Sequence, residues 1–545
     1  MATKSVSTTS AVAEPQDSWV PMIVIAMGQA LMSFNVASLP ISMGGMVDSF
    51  NTPPTTVGTA IVMYSLFVSA FIMVGAKLGQ RFGSKLFFQA SVAMFLLAMV
   101  MMVFSPSVIV MLAAQGLAGL AAAAMVPTLV ALISQHYWGK QQASALGWLG
   151  AAGAMAGVLA FMIMGTLERF VSWRVAFGLL IVHSAAILLL SFKLKPSEPQ
   201  PGVKIDIVGM FLAAAAIILI SFGFDNITSW GLLLARPASP FNILGVSPAL
   251  IMMALGMVLG SAFLAWTRKR VADKKTPLVA LEVVDSPSER AALLAMFIIL
   301  GMEAAFTFTV PLYIQIVQGR SAFQTALAMT PFNLAVFFTA ILVVRLYNRF
   351  SARDIGRIAY SLVAASSLWL AFVVHNDWST FPVMLGLIAF GIGQGALMTM
   401  LFNVLVTASP RKLAGDVGAL RGTANNLGFA IGIAIISALA VGVLSANIMR
   451  NLTANPLITA ELKQEVDLDN VNFLSNDRLE ERLKSTAGTP GQIAEAMRIN
   501  EEARLGALKV SFFLLGVVAL LAIFPAGRLP DYRPIEVPKP RPQEA

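Results

Sequence analysis

Two ionisable side chains stand out in this chain because of where they fall. Glu303 lies about 12 residues into an apolar run of roughly 27, Ala291–Val317, and its neighbours one helical turn away are Ile299, Leu300, Phe306 and Thr307. His183 lies inside another such run, Val175–Leu194. A carboxyl among aliphatic and aromatic side chains is neutral when buried and charged when wetted, so Glu303 is a candidate proton carrier. It could equally hold a cationic substrate, or bond as a neutral acid to an amide on another helix. His183 is a second proton-coupling candidate, with a plain hydrogen bond to a neighbouring helix as its alternative. Uncharged polar residues recur in similar runs: Gln29, Asn35, Gln115, Gln315, Asn333 and Asn403. Together with Phe306 and Thr307 these are candidates to line a substrate cavity, although most such groups in apolar helices bond between helices.

Other chemistry is excluded by residue type. There is no cysteine, which removes disulfides, thiolate metal sites and thiol nucleophiles together. With 3 histidines in 545 residues a histidine metal cage is not expected. No GxxxxGK[ST], HExxH or GxSxG stands out, and Asp467-Leu468-Asp469-Asn470 lacks the glycine that a calcium loop needs at its sixth position. The chain reads as no enzyme, with no cofactor and no metal.

The elements that must position these groups follow from composition. Of the residues, 57% are hydrophobic and 12% charged, with a mean hydropathy of +0.78. A soluble protein carries about twice that share of charge. Runs long enough to cross a bilayer as a helix number about 14, from Trp19–Gly45 to Ala507–Phe524. The expected fold is all-α and polytopic: two six-helix bundles plus a two-helix insert. Residues 1–18 form a tail, 19–195 the first bundle, 196–290 the insert and its linkers, 291–527 the second bundle, and 528–545 a second tail. The loop 447–504 is long, polar and mildly acidic, and reads as a solvated cap or a lid over a substrate path. The net charge of +9 is explained by basic loops rather than by nucleic acid. Lys77, Arg81, Lys85, Arg268, Lys269, Arg270, Arg345, Arg349, Arg411 and Lys412 fall in alternate connections. That asymmetry predicts both termini in the cytoplasm and loop 447–504 outside.

Glycines add possible moving parts. Gly147, Gly150, Gly153 and Gly157 lie broadly on one side of the fifth run, where they permit close helix packing or bending. Gly428 and Gly432 have the same spacing in the thirteenth. The turn Gly79-Gln80-Arg81-Phe82-Gly83-Ser84-Lys85 is tight and basic. Gln80, Arg81, Gly83 and Lys85 are candidates for a conformational latch; the bland reading is a topology signal.

Several local motifs together resemble one family. Val310-Pro311-Leu312-Tyr313-Ile314-Gln315, Gln318-Gly319, Ser321 and Pro331 are similar to the ninth-to-tenth span signature of the fourteen-span drug:proton antiporter branch of the major facilitator superfamily. Ile205-Asp206-Ile207-Val208-Gly209 with Trp230 resembles its seventh span, and Ser172-Trp173-Arg174 with Phe177 resembles the start of its sixth. The likeness covers nearly the whole chain. Four hallmark positions differ. Gln80 stands where the loop motif has Asp, although Arg81, Gly83 and Lys85 match. Gln115 stands where the fourth span has Arg, although Gly119 and Pro127 match. Leu31 stands where the first span has Asp, although Leu39-Pro40 match. In the fifth span only Gly165 of the Gly-Pro…Gly-Gly pattern is kept, with Ala160, Phe161 and Met164 at the other places.

The resemblance implies a monomeric secondary transporter in the plasma (inner) membrane that exports amphiphilic or hydrophobic small molecules by alternating access, driven by protons. The altered charges favour an alternative, proton-independent movement of a lipid-like or other small solute. A membrane scaffold or sensor that moves nothing is the third reading. The many Met and Phe residues, 29 and 35 of them, suit promiscuous apolar ligands or plain lipid contact.

Overall fold

A computed structural model describes residues 18–531 apart from 53, 321, 377–379, 456–478, 482–483 and 485–488. Both tails, except Ser18 and residues 528–531, and the centre of loop 447–504 lie outside the described residues. Among those described, the long elements are 14 helices of spanning length and apolarity. In chain order they are α1 Val20–Ile41, α2 Pro54–Phe82, α3 Ser84–Val103, α4 Val108–His136, α5 Gly139–Phe170, α6 Trp173–Ser191 and α7 Ile207–Asp225. They continue with α8 Pro248–Ala272, α9 Pro287–Leu312, α10 Ala322–Leu342, α11 Ala352–Val373, α12 Thr380–Ala408, α13 Ala414–Ala454 and α14 Pro490–Ala526. The all-α, polytopic reading of the sequence holds.

Local chemistry sets the helix ends. Ser172 caps α6 through Arg174 N–H at 3.2 Å. Ser286 with Glu289 and Ser351 with Asp354 form reciprocal capping boxes on α9 and α11. Asp206 caps α7 by accepting from Gly209 N–H at 3.0 Å, the helix-terminal role its position suggests. Gly83, with φ of +86°, turns the chain between α2 and α3, and a side chain there would meet the Ser197 carbonyl.

The helices sort by contact. Within the first six, α2 and α3 pack on α4, α1 packs on α5 and α6, and α3 packs on α6. Within the last six, α9 packs on α12, α13 and α14, while α11 packs on α12 and α14. α7 and α8 pack on each other, and α7 leans on α2 and α13. Among the described residues the first set meets the last chiefly where α5 packs on α10 and α12, and where α2 and α4 pack on α13.

Two helices outrun the bilayer. α13 has 41 residues, so at about 1.5 Å per residue it reaches roughly 60 Å, twice a hydrocarbon core. Its end and the start of α14 zip together through Leu444, Ile448 and Leu452 against Ile499, Ala503 and Ala507. This seam carries helix into both flanks of the 447–504 segment, which composition alone suggested was loop. An apolar stripe at helical spacing hides inside a polar stretch there.

Candidate functional site

The junction of the two helix sets is built on charge. Lys77 near the end of α2 and Asp416 at the start of α13 form an ion pair of 2.7 Å, with side chains only 2% and 0% exposed. Asp416 also accepts from Ala280 N–H at 3.4 Å, so the segment leading into α9 joins the cluster. Gln80, one helical turn beyond Lys77, donates to Lys412 O at 3.3 Å and to Asp416 Oδ1 at 3.4 Å. Nearby, Arg411 lies over the Trp138 ring and donates to Tyr137 O at 3.4 Å. In the sequence Lys77 looks like one more basic loop residue and Asp416 does not stand out. The one available signal was an Asp beside the start of an apolar run.

Small residues let the sets approach at the same end. Gly418 meets Pro127 and Val130, and Gly422 meets Ile72 and Val126. Gly147 lies against Ala340, and Gly150 faces Ala340 and Thr399 at 4.0 Å. Gly153 instead faces Gln29 and Ser33 of α1, while nothing lies within 4 Å of the Gly157 position. In the turn itself, Lys85 Nζ donates to Phe192 O at 3.0 Å and Leu194 O at 2.6 Å, fixing α3 to the end of α6. Arg81 is exposed, with its guanidinium 5.8 Å from the Phe82 ring. A polar cleft of about 420 Å³ beside the junction is lined by Gln80, Thr128, Ser134, Gln135, Arg411 and Lys412, among others.

A second cluster lies in the last six helices. Glu303 on α9 is half-buried. It accepts a hydrogen bond from Gln394 on α12 and lies within electrostatic reach of Arg421 on α13. The Arg421 guanidinium sits 4.5 Å from the Phe402 ring centroid. Two residues from Glu303, Gly301 meets Gly428 and Gly432 backbone to backbone, so α9 and α13 cross closely where the cluster forms. Sequence reading found Glu303 but neither Gln394 nor Arg421; Arg421 sits just before the thirteenth apolar run.

The third feature is an apolar cavity of about 830 Å³ between α1, α5 and α6. Its walls include Met27, Phe34, Trp148, Leu159 and His183, and Phe337 of α10 closes one side. His183 Nε2 is 3.0 Å from Met27 O. Trp148 and Phe337 meet edge to face at 6.3 Å, so both helix sets form the wall.

The remaining predicted residues are placed elsewhere. Asn35 and Gln115 are fully buried and exchange side-chain hydrogen bonds at 3.1 and 3.4 Å. Gln29 donates to Ser33 at 3.1 Å. Phe306 is buried and stacks on Phe390 at 3.8 Å. Thr307 bonds back to Glu303 O, and Asn333 to Met329 O. Asn403 is buried on α12. Gln315 lies in a π-helical turn, Tyr313–Val317, that ends α9. In that motif the Tyr313 hydroxyl donates to His375 O at 3.2 Å and Gln318 bonds to both, which docks α9 on the end of α11.

Residues 25–433 match the sequence pattern of the Major Facilitator Superfamily. The chain belongs to that family. It is a multi-pass membrane protein of a transporter superfamily, not an enzyme of a known class. Among curated relatives, the methylenomycin A resistance protein of Bacillus subtilis (strain 168) is 21% identical over 76% of this chain and 86% of its own length. The tetracenomycin C resistance and export protein of Streptomyces glaucescens is 23% identical over 96% of this chain and 94% of its own. The solved structure of the human organic anion transporter MFSD10 (TETRAN) superposes with a TM-score of 0.58 at 11% identity, covering 93% of this chain and 99% of that one. That likeness speaks for the fold of the transporter alone.

Proposed function

We propose that this transporter exports amphiphilic or hydrophobic small molecules, in the manner its relatives' names describe, from a site in the cavity between α1, α5 and α6. The cavity carries the reading. Its volume, about 830 Å³, is in the range of pockets that take drug-sized ligands. Its walls are apolar apart from the His183 imidazole and the Trp indole N–H groups, which suits ligands with one or two polar groups on an apolar body. Because Phe337 belongs to the other helix set, rocking of the sets would change the site, as alternating access requires. The alternating basic loops support an orientation with both termini in the cytoplasm of a plasma membrane. The Lys77–Asp416 junction then seals the cytoplasmic end. Glu303 is the proposed proton site.

The test is transport by the purified protein in sealed vesicles with and without a pH gradient. Ala152 lines the cavity, and Ala152→Trp would fill it. Expected is a rise in KM for bulky apolar substrates with folding retained. Unchanged transport in that variant would move the site elsewhere. A second reading, proton-independent transport, is favoured by one observation. Asn35 and Gln115 form a neutral pair in the first and fourth spans, with Leu31 one turn from Asn35, so the charges usual in this branch are replaced there. Transport indifferent to the pH gradient would establish it.

A further inference from the structure

Gln394 is 1% exposed, yet its side-chain oxygen Oε1 has no hydrogen-bond donor. A buried amide oxygen left unpaired costs about 1–3 kcal/mol. The amide nitrogen is already engaged with the Glu303 carboxylate. A carboxylate offers no proton, so in this arrangement nothing on Glu303 can satisfy the oxygen. A carboxylic acid can. Its O–H would donate to Gln394 Oε1 while its carbonyl accepts from the amide N–H, closing a two-bond ring in which every polar atom is paired.

We propose that Glu303 exchanges between two partners, Arg421 when ionised and the Gln394 amide when protonated, and that Gln394 is the positioning residue that holds the proton-loaded state. This rests on the reading of Glu303 as the proton site and adds the two groups that make its two states stable. The helices packed on α9 supply few competitors. α12 carries no charged residue. Of the charged residues on α13, Asp416 is tied to Lys77 and Arg450 is exposed near the far end, which leaves Arg421. On α14, Glu495, Arg498, Glu501, Glu502 and Arg504 fall in the first half and Lys509 just past the middle. Arg421 is the charged group found acting on Glu303. When the carboxyl takes a proton, the guanidinium loses its countercharge and keeps the Phe402 face, 4.5 Å away. The two states therefore differ in how firmly α9 is held to α12 and to α13, which turns a proton into a change in helix contacts.

The experiment is proton-induced infrared difference spectroscopy on the full chain in lipid vesicles, with transport measured on the same preparations. Wild type should show a protonated-carboxyl band that Glu303→Gln lacks. Gln394→Met keeps the volume but offers no amide, so the band should persist and move to higher wavenumber as its hydrogen bonds are lost. Arg421→Gln removes the partner of the ionised form. It should hold the proton and lose gradient-driven transport while keeping exchange at equal pH. If Gln394→Met does not fold, Gln394→Asn, which withdraws the amide by one methylene, should give the same band shift. A band unmoved by either Gln394 substitution overturns the partner exchange even if Glu303→Gln abolishes coupling. Normal gradient-driven transport in Glu303→Gln, together with a band that shifts in Gln394→Met, instead overturns the coupling reading and leaves the pair intact.

Discussion

Lys77 and Asp416, 339 positions apart in sequence, meet at 2.7 Å with almost no exposure, and they tie the first six helices to the last six. A buried ion pair contributes little net stability by itself, but removing one partner strands the other charge. The pair can part only if water enters to solvate both groups. It therefore behaves as a two-position catch, closed and dry or open and wet.

Lys77→Met should release the closed state, since an unpaired buried carboxylate costs about 3–5 kcal/mol. The chain has no cysteine, so a single reporter can be placed at will. Ser134→Cys lines the cleft beside the junction and is 2% exposed. Its labelling by a water-soluble thiol reagent should accelerate strongly in Lys77→Met and return toward wild type in Lys77→Met/Asp416→Leu. Equal labelling in all three would show that the pair does not hold the junction.

Gln80→Asp should also loosen the junction. Gln80 now donates to Lys412 O and Asp416 Oδ1 and accepts from Lys77 Nζ; an aspartate would turn both donated bonds into contacts between acceptors and compete with Asp416 for Lys77. Losing two weak hydrogen bonds is worth about 1 kcal/mol at this boundary, or roughly fivefold in the open population. The Ser134→Cys reporter reads this directly; slower labelling would reverse the sign.

Gly432→Ala tests the crossing of α9 and α13. An added Cβ would stand 2.8 Å from Gly301 C and 2.9 Å from Gly301 Cα. Both are backbone atoms that cannot rotate away, so the helices must part. The expected cost is about 1–3 kcal/mol, seen as a melting temperature lower by a few degrees, with weakened coupling because Glu303 lies two residues from Gly301. Gly157→Ala, which meets nothing within 4 Å, is the control and should change neither.

Orientation is open to direct labelling. A cysteine at Ser475, outside the described residues, should react with impermeant reagent applied outside cells. One at Arg349, in the basic connection between α10 and α11, should react only after permeabilisation. The opposite pattern would place the Lys77–Asp416 junction at the outer end.

What the sequence determined by itself is what lipid as a solvent dictates locally. Every backbone polar group in a bilayer must be paired within its own helix, so each spanning helix announces itself as a long apolar run. The caps at Ser172 and Asp206 are equally local in origin, because a cap involves neighbours three or fewer residues away. Glu303 was conspicuous because a charge inside such a run is costly and rare. The tertiary structure alone decided which polar groups meet. Lys77 and Asp416 each sit at the edge of an apolar run, where a charge looks like ordinary topology, and only the docking of α2 on α13 buries them together. Arg421 and Gln394 gained their meaning the same way, from helices brought beside α9. Asn35 and Gln115, similar in sequence context to Gln394, turned out to satisfy each other. Amide spacing along a helix fixes which face a residue takes, but which partner waits on that face is set by how the helices are arranged around it.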